Sequence, residues 1–240
     1  MPNPTAAMLV IGDEILSGRT RDANMHHLAG ELTLRGIDLR EVRVISDDRD
    51  AIIEAVRALS ERYDHVVTSG GIGPTHDDIT AECVAAAFDR PIGIRDDARA
   101  ILAAHYAETG KELNAARLRM ARIPDGACLI ENPVSAAPGF SLGNVHVMAG
   151  VPSIFQAMVA SLLPSLTGGA PLLSETVRVE RGEGDIAEAL SELAEAFPDL
   201  AIGSYPFQEK GLHGSNVVLR GTDPARLSDA CARLRSDLAA

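Results

Sequence analysis

The chain has 240 residues, is 46% hydrophobic and carries a formal net charge of −12. That acidic balance excludes an extended nucleic-acid surface, which needs a basic stripe, but leaves room for a nucleotide in a local pocket. The apolar fraction supports a packed core, the length suits one large domain or a medium one with a small one, and no run reaches the ~18 apolar residues of a membrane span.

Residues 6–11 form a continuous apolar run that predicts a buried parallel strand, closed by Gly12-Asp13-Glu14. Residues 20–35 place Met25, Leu28, Ala29 and Leu32 at helical spacing, with Gly36 as the stop. Residues 37–45 alternate as a second strand. Residues 50–62 predict a helix with Ile53, Val56, Ala58 and Leu59 on its core face, begun by Asp47-Asp48 where the helix dipole favours acid. A short strand at 64–69 leads into a glycine-rich turn and a helix at 79–88. Helices follow at 96–106 and 114–121, strands at 127–130 and 145–148, and a helix from Pro152 to residue 163. Strands alternating with helices at this spacing imply α/β architecture, a parallel sheet covered on both faces. Residues 166–171 read as a linker. Beyond it the rhythm becomes β-α-β-β-α (173–179, 185–197, 200–205, 213–220, 224–238), a small α+β domain with helices on one face and Asp185 capping its first helix. The expected domains are 1–166 and 172–240.

Cys83, Cys128 and Cys231 show no metal-type or CxxC spacing and read as buried or half-buried thiols in a reducing compartment. The first residues have neither a basic stretch nor a long apolar run, so a soluble cytoplasmic protein is expected.

The chemistry concentrates in Ser69-Gly70-Gly71-Ile72-Gly73-Pro74-Thr75-His76-Asp77-Asp78. A glycine-rich turn between a strand and a helix N-terminus presents free backbone N–H groups and a positive dipole end, an anion site. Two carboxylates in the same turn would repel a phosphate unless a divalent cation lay between. Open α/β sheets bind ligands outside the carboxyl ends of their strands. Gly12-Asp13-Glu14 and Ser69-Gly70-Gly71 therefore become two lips of one crevice, with Asn24 in reach from the first helix. Oxygen ligands such as Asp13, Asp77 and Asp78 favour magnesium or manganese over zinc, and such a metal would neutralise phosphate charge and activate water.

Structural roles compete with these. Thr75 to Asp78 fits a capping box, with Thr75 as N-cap and Asp78 at N3. Asp13-Glu14 fits a solvated loop tip, and His76 an exposed loop histidine. The loop Asn132-Pro133-Val134-Ser135-Ala136-Ala137-Pro138-Gly139-Phe140 combines small residues with Pro and Gly, which permits close backbone approach to a ligand or merely connects two strands. Tyr205-Pro206-Phe207 fits either a rim that stacks on a flat ring or an anchor for its own loop.

Taken in order, Gly12-Asp13-Glu14-Ile15-Leu16 with Gly18 and Asn24, Ser69 to Thr75 with Asp77-Asp78, Asn132 with Ala137-Pro138-Gly139-Phe140, and Gly150-Val151-Pro152 resemble the molybdopterin-binding (MoaB/Mog-like) domain. The version is that of the competence/damage-inducible protein A (CinA) family. The same module begins eukaryotic FAD synthase, which the chain also resembles in Ile202-Gly203-Ser204-Tyr205-Pro206. Ser135-Ala136 stand where the family often has Gly-Thr, and Ala149 where Pro is usual. The resemblance implies a three-layer α/β/α domain with a mostly parallel sheet, followed by a small α+β domain. It implies a phosphate-bearing ligand, molybdopterin or a nucleotide pyrophosphate such as ADP-ribose or FAD. In the CinA and FAD-synthase branch it implies hydrolysis of that pyrophosphate with magnesium, manganese or cobalt. In the molybdenum-cofactor branch it implies a binding module without chemistry of its own. By matching position, Asp77 and Asp78 carry over as the catalytic pair, Asp13, Asp77 and Asp78 as metal ligands, and Gly12, Asp13, Glu14, Asn24, Ser69, Gly70, Gly71, Gly73, Thr75, Pro138 and Gly139 as ligand-binding residues. Related domains self-associate, so a homo-oligomer is expected.

Overall fold

Residues 2–209 and 211–239 are described in the computed structural model. They divide into two compact units, one ending at Gly169 and the other starting at Ala170.

The first unit is built around β1 (Thr5–Ile11), buried from Ala6 onward. Pleating sends Ala7, Leu9 and Ile11 into one core and Ala6, Met8 and Val10 into another. A four-residue helix, α1 (Asp13–Leu16), follows at once. The next helix, α2 (Asn24–Leu34), starts four residues later than its spacing suggests, where the Asp22 carboxylate accepts the Met25 N–H. After β2 (Asp38–Ile45), α3 (Arg49–Arg62) is capped by Asp48, which accepts from the amides of Asp50 and Ala51. Then come β3 (His65–Ser69), α4 (Thr80–Ala87), β4 (Ile92–Ile94), α5 (Asp96–Glu108) and α6 (Ala115–Leu118), whose last turn tightens into a 3-10 turn at Arg119–Ala121. The unit closes with β5 (Arg122–Pro124), β6 (Cys128–Ile130), β7 (Gly139–Leu142), β8 (Val145–Met148) and α7 (Pro152–Leu162).

The sheet order is β2-β1-β3-β8-β7-β6, and β4 pairs with β5 apart from it. Strands β2, β1, β3 and β8 are parallel, and β7 runs against β8 and β6. Residues of α3, α4 and α5 fill the core on the Leu9 face, and those of α2 and α7 the core on the Met8 face, which gives the three layers. Strands β4, β5 and β7, three or four residues each, are absent from the sequence-derived elements. They are too short to show a period, and β4 and β5 in addition find each other across about 30 residues of chain.

The path from β1 through α2 to β2 leaves in one direction. The path from β2 through α3 to β3 returns past β1 and lands on its other side. Crossovers of opposite sense part at the carboxyl ends of β1 and β3, where open α/β sheets form a crevice.

The second unit contains β9 (Leu173–Val179), α8 (Glu183–Ala196), β10 (Ala201–Glu209), β11 (Leu212–Gly221) and α9 (Pro224–Ala239). Its antiparallel sheet has the order β10-β11-β9. Val177, Val217 and Leu219 pack with Ile186 and Leu193 of α8 and with Leu227, Ala230 and Leu234 of α9. The Asp185 carboxylate accepts the Gly182 N–H at 3.3 Å, the helix entry expected there. Tyr205 and Phe207 belong to β10 rather than to a loop. Arg178 stacks over the Phe207 ring at 3.7 Å, and Arg220 donates to the Tyr205 hydroxyl at 2.7 Å, so the sheet's own arginines hold both rings.

The expected linker at 166–171 begins too early. Leu166 is buried in the first unit's core and the Gly169 amide donates to the Arg35 carbonyl at 3.0 Å. Among the described residues no helix is long and apolar enough to cross a membrane. Cys83 and Cys231 are buried, whereas Cys128 is exposed, contrary to expectation.

Candidate functional site

The crevice is a cleft of about 530 Å³. Three turns form it, following β1, β3 and β8, and the loop at 132–137 forms its far wall.

The turn after β3 is shaped by close approach. Gly70 has φ +110°, and a Cβ there would fall 2.2 Å from the Ile11 carbonyl oxygen, so a side chain would push β3 off the end of β1. Gly71 has φ +69°, and a Cβ would meet the buried Thr80 hydroxyl at 2.1 Å. The Gly70 amide donates to the Met148 carbonyl, which joins this turn to β8. Among the described residues, no protein acceptor takes the N–H groups of Gly71, Ile72 or Gly73, and all three residues line the cleft.

Carboxylates face that turn. Glu14 folds back over Gly12, and both line the cleft. Asp47, at the end of β2, also lines it and accepts the Asp13 N–H at 3.0 Å. Burial pushes the Asp47 carboxyl up from the ordinary aspartate range, and the negative charges of Asp13, Glu14 and Asp77 raise it further against the Asp13 amide. Asp77 and Asp78 complete the acidic side.

Asp77 and Asp78 differ in how far the protein already uses them. The Asp77 side chain is 63% exposed, with an imidazole nitrogen of His76 3.8 Å away. Asp78 Oδ2 accepts the Thr75 N–H at 2.8 Å and also the Thr75 hydroxyl. This is the reciprocal bond of a capping box, but it closes a loop turn. Helix α4 begins only at Thr80, with Ile79 as its N-cap, so the capping assignment for Thr75 is corrected.

The other predicted residues have supporting positions. Asn24 is 3% exposed and donates to Ser69 Oγ at 2.8 Å and to the Gly150 carbonyl at 2.7 Å. It braces α2 against two of the three turns and does not line the cleft; neither does Ser69 nor Asp13. Pro138 lines a small neighbouring pocket of about 20 Å³, with Gly71, Gly73, Asp78, Arg119 and Arg122. Gly139 starts β7, where a Cβ would strike the Val147 carbonyl and Met158. Asn132 builds the far wall: its Oδ1 accepts from the amides of Val134 and Ser135, and its Nδ2 donates to Ser135 Oγ and the Ala137 carbonyl.

Reading the sequence missed Asp47, whose doublet with Asp48 suggested a shared role at the start of α3. Only Asp48 caps that helix. An extra acid beside a sufficient cap was the available signal. Thr20 and Met120 also line the cleft and carried no local signal.

The donor set is all oxygen, which suits a hard divalent cation. The proposed ligand trio Asp13, Asp77 and Asp78 does not assemble, because among the described residues no three His, Cys, Asp or Glu side chains converge on one point. A cation here would be held by one or two carboxylates and would keep its other positions for water or a ligand, magnesium's usual mode, and not by a closed protein cage.

Two family models match the chain: a probable molybdopterin binding domain over residues 7–168 and the FAD synthase middle domain over residues 171–240. A protein of Archaeoglobus fulgidus is 35% identical over 199 residues, covering 83% of this chain and 84% of that protein. The probable FAD synthase of Caenorhabditis elegans is 37% identical, covering 98% of this chain and 50% of that protein, so the chain spans half its length. Among solved structures, the protein CinA of Thermoplasma acidophilum, of unknown function, is 36% identical with a TM-score of 0.62, covering 68% of this chain and 97% of that one. The chain belongs to the family of probable molybdopterin-binding domains, in its CinA-like form, with an FAD-synthase middle domain following.

Proposed function

We propose that the cleft binds a phosphate-bearing pterin or nucleotide and that the protein hydrolyses a nucleotide pyrophosphate of the ADP-ribose or FAD kind with a divalent cation. One observation carries the reading: the amides of Gly71, Ile72 and Gly73, which have no protein acceptor among the described residues, share a cleft with the carboxylates of Glu14, Asp47, Asp77 and Asp78. The amides suit phosphate oxygens. Carboxylates so close to a phosphate make sense only with positive charge between them. The similarity to a probable FAD synthase supports a nucleotide as the ligand class.

Asp77, whose exposed carboxylate is hydrogen-bonded within its own turn to Thr75 and to its own backbone, and Asp47 would hold the cation, with Glu14 beside them. When bound, the cation would neutralise phosphate charge and raise the reactivity of phosphorus. The chain's own residues orient the substrate: the amides fix one phosphate, and the loop held by Asn132 bounds the opposite side. The N-terminal turn of α7 adds a positive dipole end through Val151 and Pro152. Asp78 keeps the turn closed through Thr75.

Product release from ADP-ribose, FAD and NAD, with and without magnesium, manganese or cobalt, tests this. Cleavage is expected with metal alone and is expected to fall by roughly 10²-fold or more in Asp77→Ala at unchanged melting temperature. Equal turnover in the folded variant would remove Asp77 from the mechanism. The match of residues 7–168 to a probable molybdopterin binding domain supports a second reading, a molybdopterin-binding module without turnover. No cleavage of any substrate together with tight molybdopterin binding would establish that reading instead.

A further inference from the structure

The opposite edge of the same sheet holds a second group of chemistry-bearing side chains. His65 opens β3, whose other end feeds the cleft, about 13 Å away at the rise of a strand. Pairing sets Cys128 against Ser141 and Ser141 against His146 across β6, β7 and β8, so the three share one face. Val67 is the β3 partner of His146, and His65, two residues earlier, lies on that face too. The two imidazole rings have centroids 5.6 Å apart, and His146 Nε2 lies 3.4 Å from His65 Nδ1. A pocket of about 630 Å³ opens beside them.

Two features distinguish the pair from histidines that merely fill a core. Each ring has an anchor outside the pair: His146 Nδ1 lies 2.8 Å from Ser141 Oγ, and the Thr167 backbone sits beside His65. Histidines that ligate metals are held in this way, one nitrogen on an outer partner and the other turned inward. The inward nitrogens are also at a telling distance. A separation of 3.4 Å is long for a hydrogen bond but matches two nitrogens bound at about 2.0–2.1 Å to a tetrahedral ion.

The geometry points to a site for a divalent transition metal of the zinc class, held by His65 and His146, with solvent from the pocket completing the coordination. Imidazole nitrogens select zinc, copper or nickel over magnesium, so this site and the oxygen-lined cleft take different ions. Among the described residues no third His, Cys, Asp or Glu converges here, which leaves the site open.

Zinc titration of the untagged chain against a chromophoric chelator, with cobalt(II) absorption in parallel, tests the site. One equivalent is expected to bind, without competition from magnesium. His65→Gln, at a half-buried position, is expected to abolish stoichiometric binding. Ser141→Ala keeps both ligands but loses the anchor of His146, and is expected to weaken binding by roughly tenfold. Cys128→Ser and Asp77→Ala are expected to bind as the parent does. Absence of stoichiometric zinc, or binding that survives His65→Gln in a chain with an unaltered melting curve, would mean that the two rings only hydrogen-bond each other. Loss of binding in Cys128→Ser or Asp77→Ala would place the ion elsewhere and overturn the assignment equally.

Discussion

Asn24 Nδ2 lies 2.8 Å from Ser69 Oγ, so the first residue of α2 is tied to the last residue of β3 inside the protein. The same nitrogen reaches the Gly150 carbonyl, and one amide therefore sets the spacing of the turns that follow β3 and β8. Asn24→Ala is expected to cost about 1–3 kcal/mol, since the buried Ser69 hydroxyl loses its partner. Urea denaturation measures the loss. Ligand affinity is expected to fall with it, although Asn24 itself does not line the cleft.

Gly70 offers a sharper test of the turn. With φ +110° and the Ile11 carbonyl in the place of a Cβ, Gly70→Ala is strained both in its backbone and in its contacts. A loss of about 1–3 kcal/mol or more is expected. If equilibrium unfolding of Gly70→Ala matches the parent, the close approach of β3 to β1 is not what requires glycine.

Asp77 and Asp78 are expected to separate under mutation. Asp78→Ala removes the acceptor of the Thr75 amide and hydroxyl and is expected to cost roughly 0.5–2 kcal/mol, the scale of a lost cap. Asp77→Ala is expected to leave the thermal midpoint where it is. Equal melting curves for the two variants would show that the Thr75 bonds contribute nothing measurable.

Acid sensitivity is expected from Glu41. The Tyr63 hydroxyl and then Arg43 hold its carboxyl below the ordinary glutamate range, with the hydroxyl 2.7 Å from Oε2. The unfolded chain takes up that proton at a higher pH than the folded one. Glu41 therefore stabilises the fold fully above the ordinary glutamate range, and this contribution is lost as pH falls through the lower folded value. Melting of the parent and of Glu41→Gln between pH 7 and pH 3 is expected to converge at the acid end. A constant gap across that range would contradict the linkage.

Patterns confined to a few neighbouring residues were legible in the chain itself. The apolar run of β1, the helical spacing of α3, the β-α-β-β-α rhythm of the second unit and the glycine-rich turn at Gly70 to Gly73 each follow from local sterics and periodicity. The nearness of Gly12 to Gly70 followed too, because a parallel sheet has few ways to connect its strands. What only the tertiary structure decided depends on groups far apart in sequence. Asp47 joins the cleft because β2 ends beside β1, Asn24 becomes a buried brace because α2 packs over two turns, and His65 meets His146 through strand register. Asp78 turned from a helix cap into a loop clasp because α4 starts at Thr80. Local chemistry sets which conformations a segment can adopt, while the choice among several uses of one side chain is made by the neighbours that packing brings to it.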